Sequence, residues 1–400
     1  MRVRNGLDAS VFMCFSHLRW NFVFQRPHHI FSRIEKEATV YFLEEPIYDG
    51  DAAAPRIDVT TPLEHVTVVT PVLPQGASTG LALEAQRLIL SDLLARHAGA
   101  PIVFWYYTPM ALLFSAHHPC DLCVYDCMDE LRAFRGASEQ LEPLEDALLR
   151  RADVVFTGGR SLFEAKRRLH PNVHLFPSSV DAGHFAAARP GAAGGPLADP
   201  PDQRAIPRPR VGFFGVLDER LDTDLVADLA RRRADLQFVM LGPVAKIDPA
   251  DLPQADNIHW LGIKRYADLP AYMAHWDAGF MPFARNDATR FISPTKTPEF
   301  LAAGLPVVST PIRDVVSPYG DENLVAIAAT AEAFAAALDR VLAEPRAVRQ
   351  ARADAFLAGL SWDRTWAEMR RRLLSVQPLT DAADGFLETP VGSPAVPIGS

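Results

Sequence analysis

The sequence lacks any apolar run long enough to cross a membrane or to form the core of an export signal. Residues 1–10 are polar, and the apolar stretch from Val11 to Phe15 is far shorter than the roughly 20 residues that a membrane-spanning helix needs. We therefore expect a cytoplasmic protein, with peripheral contact at the inner face of the membrane as a further option.

An excess of basic residues is also missing. The chain carries 40 Lys and Arg against 49 Asp and Glu, for a formal net charge of −9, whereas binding to a nucleic acid backbone needs a net basic face. Nucleic acid is therefore not an expected partner. Three short basic clusters, at 166–168, 231–233 and 370–372, lie at predicted helix ends, where they complement the helix dipole or dock on an anionic membrane surface.

Cysteine is scarce, with four residues in 400, which is too few for the disulfide framework of a secreted protein. Apart from Cys14, they are spaced as Cys120, Cys123 and Cys127, which could suit zinc. Alternation along a predicted strand, however, places Cys123 and Cys127 on one face and Cys120 beyond a turn. We interpret all of them as structural thiols.

Motifs that hold metals or organic cofactors are absent as well. The sequence has no glycine-rich dinucleotide loop, P-loop, zinc-protease helix or serine-hydrolase elbow. Asp222-Thr-Asp224 could hold a metal and a diphosphate, but it precedes an apolar helical stripe, so we interpret Asp222 as a helix cap. No metal ion and no cofactor are expected.

What the sequence does have is a regular alternation of short apolar runs and helical patterns. Strand candidates begin at Val11, Thr39, Val66, Ile102, Leu122 and Val154, and a second series resumes at Val211. Alternation of this kind predicts mostly parallel sheets with helices on both faces. Four hundred residues, 48% of them hydrophobic, suffice for two such domains.

Composition marks the boundaries of these domains. Residues 188–209 are rich in Ala, Gly and Pro and predict a linker between an N-terminal domain, 1–187, and a C-terminal domain, 210–360. A final helix is predicted over 361–375. Residues 376–400 show little pattern and are predicted to form a disordered tail.

The most informative segment runs from Phe291 to Thr310. Two prolines suit the first helical turn, Ser293 or Thr297 can cap it, and Gly304 ends the helix ahead of a short buried strand.

The start of this predicted helix has the chemistry of an anion site. Its free N–H groups face the same sheet edge as Lys296, and both attract negative charge. Glu299, one turn further, can accept hydrogen bonds from a diol such as ribose. A loop, helix, turn and strand in this order can therefore seat a phosphorylated ligand.

The segment resembles the nucleotide-sugar loop of GT-B glycosyltransferases, in particular their large retaining family four. The stretch from Asn172 to Phe185, which includes Pro177 and Val180-Asp181, is similar to the sequence segment at the end of the N-terminal domain in that family. The resemblance covers roughly residues 10 to 370 and is strongest in the second half. It implies an α/β protein with two Rossmann-like βαβ domains that face each other across a cleft.

The resemblance also implies an activity. It points to transfer of a sugar from a UDP- or GDP-linked donor to a glycan or lipid-linked acceptor, in the biosynthesis of a cell-envelope polysaccharide, without a metal and with retention of configuration. A nucleotide-sugar 2-epimerase of the same fold and a catalytically inactive GT-B scaffold stay open as alternatives. A two-lobed solute-binding protein fits less well, because it would carry an export signal.

Candidate residues of the nucleotide-sugar site follow from the same comparison. Lys296 and Arg220 are predicted to clamp the diphosphate and to stabilise the charge that builds up on it, and Glu299 is predicted to bind the ribose. The predicted site is completed by Thr295, Thr297 and Gly215.

Two departures from the family stand out in this domain. The loop after its first strand holds Arg220 alone, where the family has an arginine and a lysine. The first of the family's two glutamates, eight positions apart, would fall on Phe291. Neighbouring polar residues that could replace its sugar contacts are Asn286, Asp287 and Arg290.

In the N-terminal domain, Asp126 is the predicted catalytic carboxylate that orients the acceptor or the donor sugar. The alternative is ordinary turn polarity, with Asp129 as a helix cap. His17, Trp20 and Arg26, in the loop after the first strand, are the predicted acceptor-binding surface.

Overall fold

The computed structural model describes residues 7–376 and contains two sheets flanked by helices. The strands are β1 (Val11–Ser16), β2 (Thr39–Glu44), β3 (Ile47–Asp49), β4 (Arg56–Leu63), β5 (Val66–Pro74), β6 (Ile102–Tyr106), β7 (Leu122–Cys127), β8 (Val154–Thr157), β9 (Val173–Leu175), β10 (Arg210–Phe214), β11 (Gln237–Leu241), β12 (Ile258–Trp260), β13 (Ala278–Met281), β14 (Val307–Ser309) and β15 (Ala326–Ile327). The helices are α1 (Arg26–Ile34), α2 (Thr79–Arg96), α3 (Leu112–Ser115), α4 (Leu141–Arg151), α5 (Arg160–Lys166), α6 (Ala182–Ala186), α7 (Thr223–Arg232), α8 (Leu269–Met273), α9 (Lys296–Ala302), α10 (Arg313–Val315), α11 (Ala331–Ala343), α12 (Arg346–Leu357) and α13 (Trp362–Ser375).

The N-terminal sheet has nine strands, eight of them in the order β3-β5-β2-β1-β6-β7-β8-β9. The central pairs are parallel, as between β1 and both β2 and β6. Every residue of β1, β6 and β7 is buried, because helices cover both faces of the sheet. The six predicted strands of this half are all present.

The C-terminal sheet has six parallel strands in the order β12-β11-β10-β13-β14-β15. Both sheets therefore have the alternating, doubly wound architecture that the sequence predicted. Loops that leave the carboxyl ends of parallel strands meet at one edge of each sheet, and these two edges face each other across the cleft.

Among residues 7–376, three strands of the first sheet were not predicted, namely β3, β4 and β9. β3 and β4 add an edge to β5, with β4 antiparallel to it. Almost the whole of β4 is exposed, and it contains Pro62, which is tolerated in a sheet mainly on edge strands.

The segment predicted as a linker, 188–209, is packed against the C-terminal domain. Gln203 is fully buried and accepts a hydrogen bond of 2.7 Å from the indole of Trp276. Asp199 forms an ion pair of 2.8 Å with Arg210 at the start of β10. Residues 199–203 of the segment are therefore fastened to the C-terminal domain.

α13 runs back to the N-terminal domain. The Trp362 ring stacks on His29 with ring centres 4.5 Å apart, and Arg370 pairs with Glu37 at 2.6 Å. Residues 377–400 of the predicted tail lie outside the described residues. Between residues 7 and 376, no helix combines the length and the apolar character needed to cross a membrane.

Candidate active site

A cavity lies between the two domains, where the loops after β10, β11 and β13 meet the N-terminal end of α1 and the loops after β7 and β8. Of the predicted site residues, those that line it are Arg26, Gly215, Arg220, Thr295, Lys296 and Glu299. The structure thus brings most of the predicted nucleotide-sugar site together in one place.

Two glycines allow these loops to approach each other. Gly215 follows β10 with φ of 135°, and a Cβ there would lie 2.2 Å from Cε of Lys296. Gly242 follows β11 with φ of 146°, and a Cβ there would lie 1.8 Å from the carbonyl oxygen of Gly215. Only glycine satisfies both the backbone conformation and the lack of space.

Lys296 starts α9 and is one of the cations that line the cavity. Its Nζ lies 5.4 Å from the ring centre of Phe213 and 5.8 Å from that of Phe283. Among residues 7–376 it has no ion pair and no hydrogen bond. Burial, and to a lesser extent nearby Arg220, lower the pKa of Lys296 to about 8. An ammonium group in this setting gains from a bound anion.

Arg220 lines the same cavity but already has a counterion. Its Nε and Nη2 donate hydrogen bonds to Asp218, the shortest of them 2.6 Å long. The guanidinium carbon also lies 5.4 Å from the ring centre of Phe134, which belongs to the other domain. Asp218 and Phe134 therefore both orient the guanidinium of Arg220, and Asp218 offsets part of its charge.

Glu299 lies one turn into α9, and its carboxylate accepts no hydrogen bond from residues 7–376. Burial raises the pKa of Glu299 to about 8, against the opposing effect of Lys296. Thr295 also lines the cavity. Thr297 does not, since it is fully buried with its hydroxyl 3.5 Å from the sulfur of Met281.

The helix start itself differs in detail from the prediction. The N-cap of α9 is Thr295, without a side-chain hydrogen bond, so neither Ser293 nor Thr297 caps it. Gly304 does end the helix, with φ of 76°. Asp222 caps α7, as predicted, by accepting a hydrogen bond of 2.9 Å from the backbone of Leu225.

On the N-terminal side, Asp126 does not reach the cavity. It is fully buried and accepts hydrogen bonds from Nε and Nη2 of Arg26 at 2.8 to 3.1 Å. Arg26 also donates to the carbonyl oxygen of Phe176 at 2.7 Å. Asp126 belongs to β7, whose alternate side chains point into the core under α1, so it holds Arg26 in place rather than facing a substrate.

The carboxylate that faces the cavity from this side is Asp129, two residues beyond the end of β7. Its side chain accepts no hydrogen bond and forms no ion pair with residues 7–376. Burial raises the pKa of Asp129, while Arg220 opposes that shift. The signal that could have identified it is its place just after a strand end rather than within the strand.

The predicted acceptor surface is dispersed. Trp20 is 8% exposed and packs on Phe42, with ring centres 5.1 Å apart. His17 lies outside the cavity lining, with Nδ1 buried and unbonded among the described residues. Burial lowers the pKa of His17 to about 4, and Lys246 adds to that effect. Of the three residues, only Arg26 borders the cavity.

Contacts between the domains hold the two walls of the cavity together. Ser178 donates a hydrogen bond of 2.8 Å to the carbonyl oxygen of Ser293. Asp314 accepts hydrogen bonds from the backbone N–H and the hydroxyl of Ser161, at 3.1 and 2.5 Å. A Cβ at Gly159 would lie 2.3 Å from Asp314, so the close approach requires glycine.

Within residues 7–376, no three His, Cys, Asp or Glu side chains form a group arranged to hold a metal ion. The four cysteines are free thiols.

Comparison with known sequences places the second domain in a family. Residues 208–344 match the family described as glycosyl transferases group 1. Over 308 residues the chain is 27% identical to TuaH of Bacillus subtilis (strain 168), which is named as a teichuronic acid biosynthesis glycosyltransferase. That alignment covers 70% of this chain and 69% of TuaH.

Solved structures share the fold over about nine tenths of this chain. The sucrose-phosphate synthase from Thermosynechococcus elongatus has a TM-score of 0.66 at 14% identity, over 90% of this chain and 98% of that one. HepE of Anabaena, solved in complex with UDP and glucose, has a TM-score of 0.63 at 15% identity, over 92% and 100% of the two chains. At such identities the likeness establishes the fold.

Proposed function

Since this chain is a glycosyltransferase of the GT-B fold, with the glycosyl transferases group 1 family in its C-terminal domain, we propose that it transfers a hexose from a nucleoside diphosphate sugar to a glycan or lipid-linked acceptor. UDP is the first nucleotide to test, because HepE was solved with UDP and glucose.

The observation that carries this proposal is the environment of Lys296. A lysine enclosed between Phe213 and Phe283, with no ion pair among residues 7–376, loses solvation without gaining a counterion. A diphosphate in the cavity would supply that counterion. Arg220, at the same wall, would add a second donor to it.

Glu299 fits the ribose in the same arrangement. Its carboxylate borders the cavity one helical turn from Lys296, and none of the described residues donates a hydrogen bond to it. Hydrogen bonds from ribose hydroxyls to an ionised carboxylate contribute about 1.5 to 3 kcal/mol each.

The chemical step follows from the charges. The bond between the sugar C1 and the β-phosphate oxygen breaks, and its electron pair leaves with the diphosphate. Lys296 and Arg220 would stabilise the negative charge that this oxygen acquires. The acceptor hydroxyl forms the new bond at C1, and its proton passes to the departing phosphate oxygen, which gives retention. The proposal invokes no metal ion for this step.

For the acceptor, we propose a cell-envelope glycan or its lipid-linked precursor. The support is the likeness to TuaH, whose name refers to teichuronic acid biosynthesis. In this proposal the protein works in the cytoplasm, with peripheral contact to the membrane when the acceptor is lipid-linked.

The test is a thermal shift screen with UDP, GDP and ADP. The matching nucleotide should raise the melting temperature by a few degrees, since a ligand at 100 times its Kd stabilises by about 2.7 kcal/mol. Glu299→Ala should abolish the shift, and the isosteric Glu299→Gln should reduce it. The control is Asp224→Ala, which removes an exposed carboxylate from the same domain and the second acid of the Asp222-Thr-Asp224 triplet.

No shift with any nucleotide would overturn the proposal, as would an unchanged shift in Glu299→Ala. Repeating the screen with EDTA tests the metal-independent reading, because chelation should leave the shift unchanged. Mass spectrometry of products then separates transfer, which lengthens an acceptor, from the epimerase alternative, which leaves the donor mass unchanged.

A further inference from the structure

Within residues 7–376, two carboxylates border the cavity between the domains, and of these Glu299 was expected there. The second is Asp129, which lies opposite α9 on the N-terminal wall. Glu299 belongs to the C-terminal domain, one turn beyond Lys296 on α9, whereas Asp129 belongs to the N-terminal domain. The two acids therefore face the cavity from different domains.

The neighbouring acids of Asp129 are all paired. Asp126 is bound by Arg26, Glu130 by Lys166 at 2.8 Å, and Asp218 by Arg220. Asp129 has no such partner among the described residues, and only its carbonyl oxygen accepts a contact, from the thiol of Cys127. A half-buried carboxylate without a donor is costly unless a ligand supplies one.

The charges around Asp129 restrict what that ligand group can be. The charges that act on it are those of the anion Asp218 and of the cations Arg220, Lys246 and Lys296. Arg220 and Lys296 border the proposed diphosphate position. A phosphate oxygen would be repelled by the carboxylate, whereas a hydroxyl group can donate to it. Free hydroxyls lie on both sides of the diphosphate, on the ribose and on the transferred sugar. Since the proposed function assigns the ribose to Glu299 on the other wall, the group left for Asp129 is the sugar.

Apart from Glu299, which the proposed function assigns to the ribose, no acid among residues 7–376 lines the cavity from the opposite wall. Position 291, where the resemblance leads one to expect a glutamate, is Phe291, and its ring packs against the core of the N-terminal domain. Asn286 in the same loop is committed to local structure, since its amide donates to the carbonyl oxygen of Glu219 at 2.8 Å.

We propose that Asp129 binds hydroxyl groups of the transferred sugar, so that the sugar is recognised from the N-terminal domain in this protein. The inference rests on the proposed function, since it takes the diphosphate to lie at Lys296. It also means that sugar selection requires both domains to close on the donor.

The test compares a nucleotide with its sugar conjugate in Asp129→Asn and Asp129→Ala. The Kd values of UDP and UDP-glucose, or of GDP and GDP-mannose if the screen selects guanine, are measured by calorimetry. We expect UDP-glucose to bind at least tenfold more weakly in both variants. UDP itself should bind equally well or a few-fold more tightly, because a negative charge near the diphosphate is removed.

Asp287→Ala is the matched comparison, since Asp287 is an exposed acid of the loop that the sequence suggested for sugar contacts. It should leave both Kd values unchanged. Equal weakening of UDP and UDP-glucose in Asp129→Asn, no weakening of either, or a sugar-specific loss in Asp287→Ala would each overturn the inference. If the wild-type chain binds no nucleotide at all, the proposed function itself fails, which is a distinct result.

Discussion

At the scale of a single residue, the pKa of Lys296 shows how strongly burial can change a side chain's acid–base behaviour. Its carbon chain fits beside Gly215 and its Nζ faces two aromatic rings, so burial lowers its pKa to about 8. The lysine itself was predicted from local sequence. Its lack of a counterion could not be predicted from local sequence, because it depends on which acids reach the cavity.

At this scale the prediction concerns pH. Since the lysine must be protonated to attract the diphosphate, the affinity for UDP should fall as pH rises through about 8, by up to about tenfold per pH unit above the pKa. Ionisation of Glu299 in the same range acts in the opposite direction, because it favours the ribose contact. Calorimetric Kd values between pH 7 and 9.5 measure the balance.

Lys296→Met supplies the control for this profile. The variant should bind UDP weakly and should lose the decline above pH 8, since methionine does not titrate. The idea is wrong if Lys296→Met shows the same decline as the wild-type chain.

At the scale of elements, the site depends on the loops that follow β10 and β11, which run side by side and approach each other closely at two glycines. The order of loop, helix, turn and strand over 291–310 could be read from prolines, Gly304 and apolar β-branched residues, because these act on their own backbone. The close approach of Gly242 to Gly215 could not be predicted in this way, since it joins two loops that are distant in sequence.

We predict that Gly215→Ala disrupts the site more than the fold. A Cβ at this position would displace Lys296 and strain a backbone with φ of 135°, which costs on the order of 1 to 3 kcal/mol. The UDP-dependent rise in melting temperature should be lost. Gly262→Ala is the matched control, because Gly262 also has positive φ, 69°, but open space around it. A shift retained in Gly215→Ala and lost in Gly262→Ala would contradict this account.

At the scale of the whole molecule, the domains are joined where Asp314 of α10 caps the start of α5. This contact is almost entirely buried and lies beside Ser293, next to the nucleotide loop. It therefore links closure of the cleft to the position of the proposed donor site.

Asp314→Ala should open the cleft. Loss of the buried capping hydrogen bonds should increase the radius of gyration seen by X-ray scattering and reduce transfer at least tenfold, while UDP still binds to the C-terminal domain. Glu164→Gln is the control, because its ion pair with Arg313 crosses the same interface in a largely exposed position and should contribute little. Unchanged scattering and activity in Asp314→Ala would rule out a role in closure.

What the sequence by itself determined is the set of features that depend on near neighbours along the chain. Alternating apolar runs specified two parallel sheets, and the segment from 291 to 310 specified Lys296 and Glu299 at a helix start. Tertiary structure alone decided which acids and rings reach the cavity. Asp126 is hydrogen-bonded to Arg26, 100 residues away in sequence. Thr297 and Trp20 are buried in the cores, whereas Asp129 faces the cleft. The reason is that a side chain's partners come from distant elements, whose contacts exist only after both domains have folded.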